Sequence, residues 1–317
     1  MPKSLKEIEF GVLFNCISLT SINIPDGVVS IGELAFWGCN SLVSIDIPDS
    51  VESIGMDAFS GCSSLTNVTI PNRVVSISEL TFYGCSSLTS ITIPDSVEII
   101  GESAFSGCTS LKDITIPNNV ILIGVSAFNG CSSLTSLIIP KSVISIGDNA
   151  FSYCSSLERV NISEGVTSIG NGAFSDCPCL ENINFPESII SIGNNAFSGC
   201  SSLTNITIPK GVTSIECYAF FSCICLESVT ISESVESIDD GVFGWCENLK
   251  DVYCKAIIPP TTTLGEWGNW YTFYGCSDEL TIYVPMESVE AYKTAEGWSQ
   301  YADQIIGFDF ENGVVAE

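Results

Sequence analysis

The chain has 317 residues, and 10 Lys+Arg against 37 Asp+Glu leave a net charge of −27, with no histidine and 16 cysteines. A polyanion of this size repels phosphate backbones and acidic lipid surfaces, which excludes nucleic-acid or membrane binding through a basic patch. Without an imidazole, Ser-His-Asp and Cys-His nucleophiles, His-Glu-x-x-His zinc proteases and Cys/His zinc fingers are excluded as well.

From the start of the chain one spacing dominates. Cys16, Cys39, Cys62, Cys85, Cys108, Cys131, Cys154, Cys177, Cys200, Cys223 and Cys246 stand 23 residues apart without a slip. Pro2 precedes Cys16 by the same offset as Pro48 precedes Cys62, so the chain opens inside a repeat. An uncapped end exposes apolar surface, so either Met1 starts a trimmed chain or something upstream covers it. MPKSLKEIEF is polar and already in the repeat frame, so no signal peptide is expected there.

Leu88 to Ser110, LTSITIPDSVEIIGESAFSGCTS, typifies the unit. Its Leu-x-x-Ile-x-Ile segment alternates apolar and polar with β-branched residues, which predicts a strand with one buried face. Proline ends that strand, because its ring cannot continue the hydrogen-bond ladder. The Gly column, with Gly55, Gly101, Gly124, Gly147, Gly170 and Gly193, predicts a second turn through its conformational freedom. No helical stripe is present, so the return path is expected to be short extended or 3₁₀ segments. One unit cannot bury its own apolar face, whereas stacked units can, which predicts a repeat solenoid.

After Cys246 the frame breaks, and Cys276 follows 30 residues later with the extra residues between Pro259 and Tyr271. A last strand is expected over Leu280 to Val284, a short helix over about Ser288 to Ala295, and a loose tail from Gly307. The chain therefore reads as a solenoid over 1–254, an irregular last repeat and C-terminal cap over 255–310, and a tail over 311–317. No stretch approaches the roughly 20 apolar residues of a membrane-crossing helix.

Leu-x-x-Ile-x-Ile-Pro followed by Ala-Phe-x-x-Cys at this period resembles the BspA-like leucine-rich repeats of bacterial and protist surface proteins, over residues 2 to about 254. Ser163 and Ser232 depart from the Pro column, Ser78, Glu216 and Asp239 from the Gly column, and Thr81 and Val242 from the Ala column. These departures are expected to loosen single turns and keep the frame. The resemblance implies a leucine-rich-repeat horseshoe with a parallel β-sheet on one face. It also implies a secreted or cell-surface setting and a role in adhesion or recognition of a protein, such as a host matrix or cell-surface component.

Stacked strands bring the ladder cysteines within disulfide range, but their Cβ vectors run parallel. Buried free thiols acting as small hydrophobes are the favoured reading over disulfides. A metal site lacks both Cys-x-x-Cys and histidine. Cys179, Cys217, Cys225 and Cys254 lie off the ladder, and none has a neighbouring base that would activate it.

Outward strand positions form two columns of short hydroxyls and amides, suited to a broad shallow interface. Within them Arg159, Asn161, Asn182, Asn184, Asn205 and Thr207 form the stretch richest in functional groups, and they are the candidate binding residues. The plainer reading is that such residues are soluble filler multiplied by duplication. The carboxylates gather in turn columns, as at Asp26, Asp49, Glu52 and Glu98, where they either solubilise the rim or attract calcium or a basic partner, although no calcium loop is present. Trp245, Trp267, Trp270, Tyr271 and Tyr274 concentrate in the irregular repeat, either closing the core or anchoring a partner, with Trp267 and Trp270 as the second candidate site. No phosphate loop, Gly-x-Ser-x-Gly elbow or coherent carboxylate dyad appears, so neither an enzyme nor a cofactor is expected. Two functions remain: a non-catalytic recognition module, and a spacer without a ligand.

Overall fold

The computed structural model describes residues 1–262 and 271–315. Two compact units divide the chain, Met1–Leu157 and Glu158–Glu317. In both, the 23-residue repeat makes one turn of a parallel-sheet solenoid.

In the first unit the Leu-x-x-Ile-x-Ile segments give the strands Ser21–Asn23, Ser44–Asp46, Asn67–Thr69 and Ser90–Thr92, paired parallel in that order. Ser21 lies opposite Ser44, Ile22 opposite Ile45 and Asn23 opposite Asp46. Each residue thus faces its counterpart one repeat away, and a column in the sequence becomes a column in space. Alternation holds along each strand: Ile45 is buried between exposed Ser44 and Asp46. In the second unit Arg159–Ile162 pairs with Asn182–Asn184, and Asn205–Thr207, Ser228–Ile231, Asp251–Cys254, Thr281–Pro285 and Ile305–Asp309 form a further parallel series.

The return path takes the extended alternative. Two-residue strands such as Ser76–Ile77, Ile99–Ile100, Leu122–Ile123 and Ser145–Ile146 build a second parallel ladder, and Ser191–Ile192, Ser214–Ile215 and Ser237–Ile238 do so in the second unit. The Ala-Phe segments are successive turns, and among the described residues 3₁₀ helix occurs only near the C-terminus, at Met286–Ser288 and Ser299–Tyr301.

Proline does more than end the strand, because its carbonyl closes the next turn. Val51 N–H donates to Pro48 O at 3.0 Å and Val97 N–H to Pro94 O at 3.1 Å. Where Ser replaces Pro the same turn survives but is longer, 3.4 Å at Val166–Ser163 and 3.3 Å at Val235–Ser232. The fixed φ of proline favours a tight turn, and serine gives that up.

The Gly column needs a correction. Freedom to reach positive φ is used elsewhere, at Asp57 (φ 54°) and Gly61 (φ 72°) for example. Gly147 is glycine for lack of room: a Cβ there would lie 2.6 Å from the Gly124 carbonyl carbon of the preceding turn. The close approach of adjacent turns, not turn flexibility, selects the residue.

The core is a set of stacked columns. Phe36, Phe59, Phe82, Phe105, Phe128 and Phe151 stack with centroids 5.1–5.5 Å apart and planes within 10°. Phe174, Phe197, Phe220, Phe243 and Phe273 continue the pattern in the second unit at 5.4–5.7 Å. All sixteen cysteines are free thiols. The ladder thiols are not merely small hydrophobes. From Cys39 to Cys154 in the first unit, and at Cys200, Cys223, Cys246 and Cys276 in the second, Sγ donates to a carbonyl of the previous turn at 3.1–3.4 Å. Burial pushes the Cys85 and Cys131 thiols up to about 12.

At the C-terminal end, strand Thr281–Pro285 leads into helix Val289–Thr294. Tyr292 and Trp298 are fully buried there. Tyr292 Oη donates to Ala256 O at 2.8 Å, and Trp298 Nε1 donates to Pro260 O at 2.8 Å. The segment expected to be loose from Gly307 is paired instead. Ile305–Asp309 lies parallel to Ile282–Pro285, and Val314–Val315 returns antiparallel against Phe308 and Asp309. Ile305 and Gly307 are the inward positions, and a glycine at the second hides the apolar alternation from the sequence.

Candidate interaction face

Alternation exposes Arg159 and Asn161 on one strand, Asn182 and Asn184 on the next, and Asn205 and Thr207 on the third. Arg159 lies opposite Asn182, and Asn161 opposite Asn184. The structure thus brings the six candidate residues of the sheet together on one face of the second unit. Trp267 and Trp270, the other two candidates, lie outside the described residues.

The face is not a smooth band. Asn182–Asn184 belongs to one hydrogen-bonded ladder and Asn205–Thr207 to another. Between them lies a shallow depression of about 220 Å³, lined by Asn182, Asn184, Glu187, Asn205 and Thr207. Phe185 lies beneath, at the position where other turns carry Ile162 and Ile208. Its ring meets Phe197 edge-on at 5.4 Å and Phe220 at 6.4 Å. Here the interruption coincides with an enlarged side chain, whereas in the first unit the ladder also stops at 113–115, where no strand forms and the equivalent residue is Ile116. Amides, a hydroxyl and a carboxylate around the depression offer both donors and acceptors.

Sequence reasoning missed an aromatic group on the same side of the sheet. Tyr253 lies opposite Tyr283. Their rings stack at 4.5 Å, and Phe308 packs edge-on to both at 5.5 and 5.4 Å. Partial burial, and after it the carboxylate of Asp251, holds both phenols above their ordinary range. The signal was present in Thr281–Pro285, whose alternation turns Tyr283 outward, but the extra residues before Cys276 hid its register with Tyr253.

Among the described residues, no group of three or more Cys, Asp or Glu side chains gathers as a metal ion would require. No described helix is long and apolar enough to cross a membrane.

Among solved structures, the chain is similar to a leucine-rich repeat protein from Bacteroides ovatus, at 32% identity and TM-score 0.71, covering 90% of this chain and 73% of that one. A leucine rich cell surface protein from Faecalibacterium prausnitzii is 31% identical, with 86% of each chain covered and TM-score 0.47. The pneumococcal vaccine antigen PcpA shares the fold at 20% identity and TM-score 0.51, covering 95% of this chain and 69% of that one. No curated protein matches at a significant level. The BspA type leucine rich repeat region matches in six copies over residues 1–97, 75–190 and 167–290, and the chain belongs to that family.

Proposed function

We propose that this chain is a non-catalytic recognition module of a secreted or surface-attached protein, binding a protein partner through the outward face of the longer strands. The observation that carries this reading is the depression between Asn182–Asn184 and Asn205–Thr207, where the polar face has relief and a concentration of hydrogen-bonding groups. Complementary polar groups across an interface fix register as well as specificity. The BspA type of the repeat supports the surface setting.

Adhesion of the purified chain to matrix-coated and cell-coated surfaces tests the reading, with Arg159→Glu, Asn182→Lys and Asn205→Lys combined in one variant. Loss of adhesion with an unchanged melting curve supports the face. Unchanged adhesion removes the face from consideration. Absence of adhesion by the parent chain favours the spacer reading, which the regularity of the remaining turns suits.

A further inference from the structure

A second surface lies in the second unit, where strand Thr281–Pro285 runs into Met286–Ser288 beside Phe308–Glu311. It is a groove of about 450 Å³. Its walls are apolar: Ile257, Met286, Phe308 and Phe310 line it, with Ile257 63% and Met286 49% exposed. Next to it Ile258 is 80% exposed. Oily side chains gathered at one exposed place mark an interaction site more often than scattered ones do. Methionine at the edge adapts to varied partners.

The rim is mainly acidic. Glu233, Glu287, Asp309 and Glu311 surround the groove against the single ammonium of Lys255. Two of the four carboxylates are already engaged: Glu233 pairs with Lys210 at 3.1 Å, and Asp309 accepts from the Glu311 and Asn312 N–H groups and from Asn312 Nδ2. Glu287 and Glu311 take part in no ion pair among the described residues. Lys255 Nζ lies 6.0 Å from the centre of the Phe310 ring, so this chain already seats one cation on an aromatic face of the groove.

From the apolar walls, the unpaired carboxylates and the Lys255–Phe310 contact, we propose that this groove docks a segment of a protein partner in which apolar side chains alternate with lysine or arginine. A second copy of the chain does not fit, because it brings another −27 charge to an acidic rim. An anionic lipid surface is opposed for the same reason. The surface is separate from the Asn182–Thr207 depression, and either proposal stands if the other fails.

The test is fluorescence anisotropy with a fluorescein-labelled peptide of alternating leucine and lysine, titrated with the full chain at about 0.15 M salt to screen general attraction. Glu287→Gln combined with Glu311→Gln is expected to weaken binding about tenfold. Glu79→Gln with Glu102→Gln, which removes the same charge from exposed positions of the first unit, is expected to leave it unchanged. Met286→Ser is expected to weaken it, and a lysine–serine peptide of equal length is expected to bind about tenfold less well. No binding of the leucine–lysine peptide, equal losses from both double variants, or equal binding of the two peptides would each overturn the proposal.

Discussion

The thiol of Cys85 donates to the carbonyl oxygen of Phe59, 3.2 Å away and one turn earlier, while the same oxygen accepts the N–H of Cys62 at 3.1 Å. Both lone pairs of a buried carbonyl are thereby used, one within its own turn and one from the next. Cys85→Ala removes the second donor and leaves a void. It is expected to cost about 1–3 kcal/mol in urea unfolding. Cys179→Ala, at an exposed position, is expected to change stability by no more than about 0.5 kcal/mol.

Those thiols also set a response to alkali. Cys85 and Cys131 are raised from 9.0 to about 12 by burial, so the folded chain retains protons that an unfolded chain releases. Their contribution is complete below pH 9 and is lost as pH rises towards 12, at about 1.4 kcal/mol per pH unit for each thiol. Urea midpoints measured at steps above pH 9 should fall steadily, and a Cys85→Ala/Cys131→Ala variant should show a shallower fall.

Gly147→Ala tests the closeness of adjacent turns. The added Cβ meets the Gly124 carbonyl carbon at 2.6 Å, and the backbone must shift by a few tenths of an ångström or more. The expected loss is about 1–3 kcal/mol. Ser78 occupies the same column and its Oγ donates to Ile54 O at 2.6 Å, so that turn has already adjusted to a side chain. Ser78→Gly should therefore bring no comparable gain, as thermal melting of the two variants will show.

Phe185→Ile restores the residue type of the neighbouring turns. Amide hydrogen exchange at Asn205 and Thr207 is expected to slow as the two ladders join across the depression. Unchanged exchange would place the cause of the interruption outside Phe185.

Tyr292→Phe deletes the hydroxyl that donates to Ala256 O and contacts Cys254 Sγ at 3.2 Å. A buried carbonyl then lacks its partner, at an expected cost of about 1–3 kcal/mol in thermal or urea unfolding.

The period of 23 made the architecture legible, because Leu88, Phe105 and Cys108 belong to columns repeated many times and each copy confirms the others. Single substitutions carried no such redundancy. Phe185 reads as one more apolar residue, yet it sits at one of the interruptions of the ladder. Gly147 reads as a flexible link, because crowding by the preceding turn is a distance between residues 23 apart and leaves no local trace. The thiol hydrogen bonds were invisible for the same reason. The six sheet residues from Arg159 to Thr207 could be placed on one face from alternation alone. The groove beside Met286 could not, since it joins side chains from positions 233 to 311 across a shifted frame.

From Cys39 to Cys246 the ladder thiols of each unit are buried one above another, most of them bonded to a carbonyl of the turn before. Once the chain is folded, burial shields these thiols from oxidants and from thiol exchange in reducing and oxidising surroundings alike. Cys179 and Cys225 stand apart from this, since both are exposed. They are the positions at which glutathione or another small thiol would leave a mark, and a mass increment confined to those two would record the compartment through which the protein has passed.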